Sequence, residues 1–207
     1  GRPGASFLSL PKDVGLAEFP GDADADWGKA VSYGPAAQSS IDLALATLAQ
    51  SKSPIALLGM QSSTGAYRDA MVDFFKRSGI PYIATFQGAG AWLESASGSS
   101  YAGRVGLFRN QPADKLLDQA DCVLTIGYDP IEYDPAIWNT DIKRAIIHVD
   151  AIACEQDNAF LPTVELVGDI AATLRALSTR VVTAAGAPFL SAAQAAFGQV
   201  QATIAEG

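Results

Sequence analysis

Two runs of this chain, Cys122-Val123-Leu124-Thr125-Ile126-Gly127 and Ala145-Ile146-Ile147-His148-Val149-Asp150, are apolar at odd and even positions alike. Successive side chains of a strand point to opposite faces, so such a strand is covered on both sides. This constrains the fold more than anything else in the sequence, because a sheet covered on both faces is a parallel sheet between helical layers. Apolar runs at residues 54–59, 80–86, 103–108 and 164–167 bring the expected sheet to about six strands.

Helical stripes lie between these runs. Ile41, Leu45 and Leu48 follow Ser39-x-x-Asp42, which has the form of a capping box. Residues 66–77 place Tyr67, Met71, Phe74 and Phe75 on one side, and Ser78-Gly79 stops that helix. Asn110-Gln111-Pro112 opens another, with Leu116, Leu117 and Ala120 as its apolar stripe. Asp169 caps a last core helix carrying Ile170, Leu174 and Leu177. The alternation predicts an α/β fold: a doubly wound, mainly parallel sheet of about six strands, helices on both faces, joined by right-handed crossovers.

With 49% hydrophobic and 17% charged residues, the 207-residue chain has the composition of a packed domain. Its net charge of −8 argues against nucleic-acid binding, which relies on clustered Lys and Arg. No apolar run approaches the ~20 residues that cross a bilayer, so no membrane partner is expected. Two separated cysteines suggest no disulfide framework, which points to a reducing, cytoplasmic setting. Residues 1–37 read as the end of a preceding domain, with a strand at 5–11, followed by an inter-domain linker. Residues 38–180 read as the central α/β domain. Residues 181–207 read as a helical linker towards a missing C-terminal domain, with Leu190, Phe197, Val200 and Ile204 along one side. The chain is therefore expected to be a piece of a longer polypeptide.

Chemistry is sparse. The turn Gly59-Met60-Gln61-Ser62-Ser63-Thr64-Gly65 lacks the second and third glycines of a dinucleotide fingerprint. Asp150 could hold a ribose, but it lies far beyond the ~20-residue spacing of that motif. Gln87-Gly88-Ala89-Gly90 reads as a tight turn more readily than as a phosphate cradle. Asp22, Asp24 and Asp26 lack the glycine and terminal glutamate of a calcium loop. His148, the only histidine, reads as a core residue rather than a base or ligand. The run from Tyr128 to Asn139, with three carboxylates, two tyrosines and Trp138 just past a strand, reads as an interface loop.

Several of these segments resemble one superfamily. Phe7-Leu8-Ser9-Leu10-Pro11-Lys12-Asp13-Val14 resembles the segment that ends the first domain of thiamine-diphosphate-dependent enzymes. Pro54-Ile55-Ala56-Leu57-Leu58-Gly59, Ile146-Ile147-His148-Val149-Asp150 and Val164-Glu165-Leu166-Val167-Gly168-Asp169 resemble strands of their central domain. Tyr101-Ala102-Gly103-Arg104-Val105-Gly106-Leu107-Phe108 and the stretch from Ile126 to Asn139 are similar to acetolactate synthases of the catabolic type. The resemblance implies a parent enzyme that joins two pyruvates to 2-acetolactate with loss of carbon dioxide, using thiamine diphosphate and Mg2+. Its activating glutamate belongs to the first domain and its Gly-Asp-Gly…Asn motif to the third. Neither is present, since Gly168-Asp169-Ile170 lacks the second glycine.

The resemblance therefore implies no catalytic or metal-binding residue in this piece, and an inactive isolated chain. Related central domains bind FAD or ADP, and the matching cleft would be lined by Gly59, Gly88, Asp150, Gly168 and Asp169. FAD is not expected, because the run from Arg104 to Asn110 follows the flavin-free pattern. The expected partners are the N- and C-terminal catalytic domains, with a homo-oligomeric parent and Tyr133 and Trp138 as contact candidates. The alternatives are a free-standing nucleotide- or flavin-binding module, like an electron-transfer flavoprotein domain, and a small oxidoreductase.

Overall fold

Every residue of the strands β1 (Pro54–Leu58) and β4 (Cys122–Ile126) is buried, as their unbroken apolar character requires. The structure is a computed structural model and describes residues 5–18, 20–21, 33–91, 101–108, 111–140, 144–182 and 186–206. With β2 (Tyr82–Thr85), β3 (Tyr101–Val105), β5 (Ala145–Asp150) and β6 (Val164–Val167), these strands form one sheet in the order β3-β2-β1-β4-β5-β6. All five pairings are parallel. The order reverses between β1 and β4, which makes their carboxyl ends the topological switch point.

Strand alternation sends two sets of side chains to two cores. Ala56, Leu58, Leu124, Ile147 and Val149 meet the helices α2 (Gln38–Gln50), α3 (Arg68–Ser78) and α6 (Ile170–Ser178). Ile55, Leu57, Val123 and Ile146 meet α4 (Pro112–Asp118), α5 (Pro135–Trp138) and α7 (Ala187–Glu206) on the other face. Each fully buried Leu or Ile contributes roughly 1.5–3 kcal/mol, so the two layers together dominate the stability of the fold.

Local signals account for most helix ends. Gly79 closes α3 at φ 64°, donating its N–H to Phe75 O. Gln111 and Asp114 form a reciprocal capping box at the start of α4, with Pro112 in its first turn. The Asp169 carboxylate accepts from the Ala172 N–H at 2.7 Å to cap α6.

Three expectations are corrected. Ser39 is not a cap: α2 starts at Gln38, and no side chain caps its start. Residues 5–10 form no strand; they are exposed and lead into α1 (Lys12–Leu16), which buries no residue. A β-run isolated from a sheet has no partner for its backbone groups, and solvent serves them instead. In α7 the buried stripe is Phe189, Ala193 and Ala196, one position off the predicted Leu190, Phe197 and Val200, which are half-buried. The side chain of Ile204 lies outside the described ones, as do Asp22, Asp24 and Asp26. The predicted linker helix is thus packed: the Cβ that Gly103 lacks would lie 3.2 Å from Val200 and 3.4 Å from Ala113.

One exposed carboxylate ties the turn from α2 into β1 to the start of β4. Asp121 accepts from the Ser51 hydroxyl and from the N–H groups of Lys52 (2.9 Å) and Ser53 (3.1 Å). Partial burial pushes its pKa up, but these hydrogen bonds outweigh that and hold it below 3.8. A carboxyl depressed in the folded state adds stability above its unfolded pKa and loses it as pH falls through the folded value. Asp121→Asn is therefore expected to cost about 1 kcal/mol at pH 7, given its solvent exposure. Urea melts should show the gap between variant and parent closing as the pH drops below 3.8.

Candidate functional site

Ligands of open α/β sheets bind beyond the carboxyl ends of the strands at the switch point. Here β1 leads through Gly59 into two 3-10 turns, Met60–Ser63 and Gly65–Tyr67, before α3 begins. The first turn closes on itself, the Ser62 N–H and hydroxyl both donating to Gly59 O at 3.1 and 2.6 Å. Among the described residues no long helix opens directly onto the crevice, in keeping with the incomplete glycine fingerprint.

The crevice between β1 and β4 is filled by the Glu132 carboxylate. Oε2 accepts from the Met60 N–H at 2.8 Å and from the Thr85 hydroxyl at 2.6 Å, and Oε1 accepts from the Asp129 N–H at 2.9 Å. These donors follow β1, end β2 and follow β4, so one side chain ties three strand ends together. Glu132 is only 5% exposed. Burial raises its pKa above the ordinary glutamate value, while the donors from Thr85, Asp129 and Met60 pull the other way.

The five residues expected to line a nucleotide cleft fall into two groups. Gly59 and Gly88 come together, since a Cβ on Gly88 would lie 2.8 Å from Leu58 O and 3.3 Å from Gly59 O. A Cβ on Gly59 would lie 2.3 Å from Tyr128 Cα, 2.5 Å from Gly127 O and 2.8 Å from Glu132 Oε1. Both glycines thus permit close approach, but to the protein's own backbone and carboxylate. In the second group, Gly168 donates its N–H to Asp150 O at 3.0 Å, beside Asp169. Segment 34–36 covers this group. Asp169 N–H donates to Gly34 O at 2.9 Å, Ala36 N–H donates to the Thr173 hydroxyl at 3.0 Å, and a Cβ on Gly168 would meet Ala36 N at 2.7 Å. The Asp150 carboxylate, 1% exposed, accepts from the Ile152 N–H at 3.3 Å. Burial and then the charges of Asp169 and Asp150 push up the pKa of Tyr67.

In the Tyr128 to Asn139 stretch the aromatic residues are corrected from interface contacts to core. Tyr128, Trp138 and Phe160 pack edge to face. Tyr128 and Trp138 both donate to the Tyr133 carbonyl, and the Tyr133 hydroxyl reaches Asp114 at 3.0 Å. Tyr133 and Trp138 are 8% and 2% exposed, so neither is a surface anchor. Asp134 caps α5 through the Ala136 N–H. Ile131 alone stands far out, at 87% exposure. The expectation failed because aromatic, proline-stiffened sequence is common to surface anchors and to loops that fold back on a core. Glu132 was missed for the same reason: only tertiary structure brings its three donors to one point.

His148 is a core residue as expected, fully buried with Nδ1 2.8 Å from the Thr125 hydroxyl and its ring edge-on to Phe160. Burial pushes the Cys122 and Cys154 thiols up to about 12, so neither is an activated nucleophile. Among the described residues no three His, Cys, Asp or Glu side chains gather as metal ligands. Nor do these residues fit thiamine diphosphate and its metal. Among the described residues the one Gly-Asp pair, Gly168-Asp169, serves as a helix cap packed under segment 34–36.

Gly59→Ala is expected to destabilise the chain by about 2–3 kcal/mol, since two of the three close contacts are rigid backbone. Gly65→Ala, with open space around the new methyl, should stay within about 0.5 kcal/mol of the parent. Chemical denaturation of the pair checks both.

Comparison with known proteins places this geometry. The family model described as "Thiamine pyrophosphate enzyme, central domain" matches residues 41–177. An acetolactate synthase of Bacillus subtilis (strain 168) is 44% identical over 174 residues, which are 84% of this chain and 30% of that protein. A catabolic acetolactate synthase of Raoultella terrigena is 37% identical over 181 residues, 87% of this chain and 32% of that protein. The Escherichia coli (strain K12) acetolactate synthase isozyme 2 large subunit is 25% identical over 178 residues. The chain thus spans about a third of the length of these relatives. By its matched residues and its six-stranded parallel sheet, the chain belongs to the thiamine pyrophosphate enzyme central domains.

Proposed function

We propose that this chain is the central domain of an acetolactate synthase of the catabolic type, and that its own work is structural. In this reading the N- and C-terminal catalytic domains of a homo-oligomeric, cytoplasmic parent hold thiamine diphosphate and Mg2+ and condense pyruvate. The central domain spaces and docks them, without FAD or ADP of its own. One observation carries the reading: the strand ends, where this fold takes ligands, are occupied by the protein itself, the β1–β4 crevice by Glu132 and the end of β6 by segment 34–36. The identity to the Bacillus subtilis and Raoultella terrigena synthases supports the choice of parent.

Exposed apolar side chains past the strand ends support docking. Met60, Phe86, Leu107, Phe108 and Ile131 follow the ends of β1, β2, β3 and β4, and each is between 45% and 87% exposed. Exposed apolar side chains gathered at one end of the sheet suit a protein surface better than a soluble ligand. No helix among the described residues is long and apolar enough to cross a membrane.

Two measurements test the proposal. Calorimetric titration of the chain with FAD and with ADP should show no saturable binding in the micromolar range; such binding by either would favour the nucleotide-module reading. Incubation with pyruvate, thiamine diphosphate and Mg2+ should yield no acetolactate from this chain, whereas a longer chain carrying the flanking catalytic regions should turn over. Turnover by the 207-residue chain alone would defeat the division of labour.

A further inference from the structure

We propose that the crevice at the switch point is an anion cradle whose ligand is built in, the Glu132 carboxylate occupying in cis a site that would otherwise take a small free carboxylate. The inference concerns the chemistry of the crevice alone and holds whether or not the parent is an acetolactate synthase.

The donors at this site all favour a charged carboxylate and oppose the burial that raises its pKa. Two of the three partners of Glu132 are backbone N–H groups, from Met60 and Asp129, which can donate but never accept. The third, the Thr85 hydroxyl, is oriented by the Gly88 N–H, which donates to Thr85 Oγ1 at 2.9 Å and leaves the hydroxyl proton for Glu132 Oε2 at 2.6 Å. Three fixed donors therefore converge on one carboxylate in a site closed to solvent. Such preorganised dipoles hold negative charge without a cation. The glycines serve the same end. Gly59 lets the carboxylate approach, since a Cβ there would stand 2.8 Å from Oε1, and Gly88 brings its N–H onto Thr85.

Size limits what could replace the side chain. Truncating Glu132 to alanine removes the methylene and carboxylate that make up an acetate ion. The backbone of Gly127 and Tyr128 still presses on Gly59, so the space gained is that of the lost methylene and carboxylate. The donors that other proteins of this sheet type offer to a ligand are here used to pin the loop after β4. That also fixes the outward Ile131, the residue before Glu132.

The test uses the full chain with Glu132→Ala and Glu132→Gln, melted in chloride, acetate and pyrophosphate at matched ionic strength. Glu132→Ala should melt below the parent in chloride and recover by about 3–5 °C in roughly 100 mM acetate. The parent and Glu132→Gln, whose side chains fill the space, should not respond to acetate. Pyrophosphate should do no more than chloride for any of the three. Should Glu132→Ala not fold in chloride, refolding yield by near-UV circular dichroism replaces the melting point, with recovery in acetate but not chloride as the expected result. An acetate response equal in parent and variants, none in Glu132→Ala, or a pyrophosphate response larger than that to acetate would each overturn the proposal.

Discussion

The need to bury both faces of a parallel sheet governs this molecule. β1 and β4, side by side at the centre, have no exposed residue, and each side chain belongs to one of two cores by parity alone. That division dictates where the helices go. α2, α3 and α6 cover one face, while α4, α5 and α7 cover the other. The crossovers between neighbouring strands then leave the carboxyl ends of β1 and β4 adjacent and pointing the same way, which creates a crevice as a by-product of the winding.

A crevice lined by backbone N–H groups is unstable if left dry and empty, since an unpaired buried donor costs about 1–3 kcal/mol. Proteins of this sheet type commonly meet that cost with a bound phosphate. In this chain Glu132 meets the donors of Met60, Thr85 and Asp129 from within. Segment 34–36 covers Gly168 and Asp169 in a similar way. In this chain the strand ends that hold ligands in other sheets of this type are thus occupied by the protein itself.

Much of the architecture was legible because it rests on local rules. Unbroken apolar runs identify β4 and β5, the Gly79 stop and the Asp169 cap mark their helices, and Pro112 sits in a first turn. The failures share one cause. Ser39 has a capping sequence inside a helix, residues 5–10 have strand composition without a sheet, and Tyr133 and Trp138 have interface composition within a core. In each case the local signal was compatible with two environments, and long-range contacts chose between them.

The sequence by itself determined that this chain is an α/β sheet with both faces buried, because hydrophobic parity and cap residues act over a few positions. It also excluded a glycine-rich dinucleotide turn, since that requires particular residues at particular spacings. Only the tertiary structure decided what fills the crevice. Met60, Thr85, Asp129 and Glu132 are brought to one point by strand order, and no rule of spacing along the chain encodes a meeting of that kind.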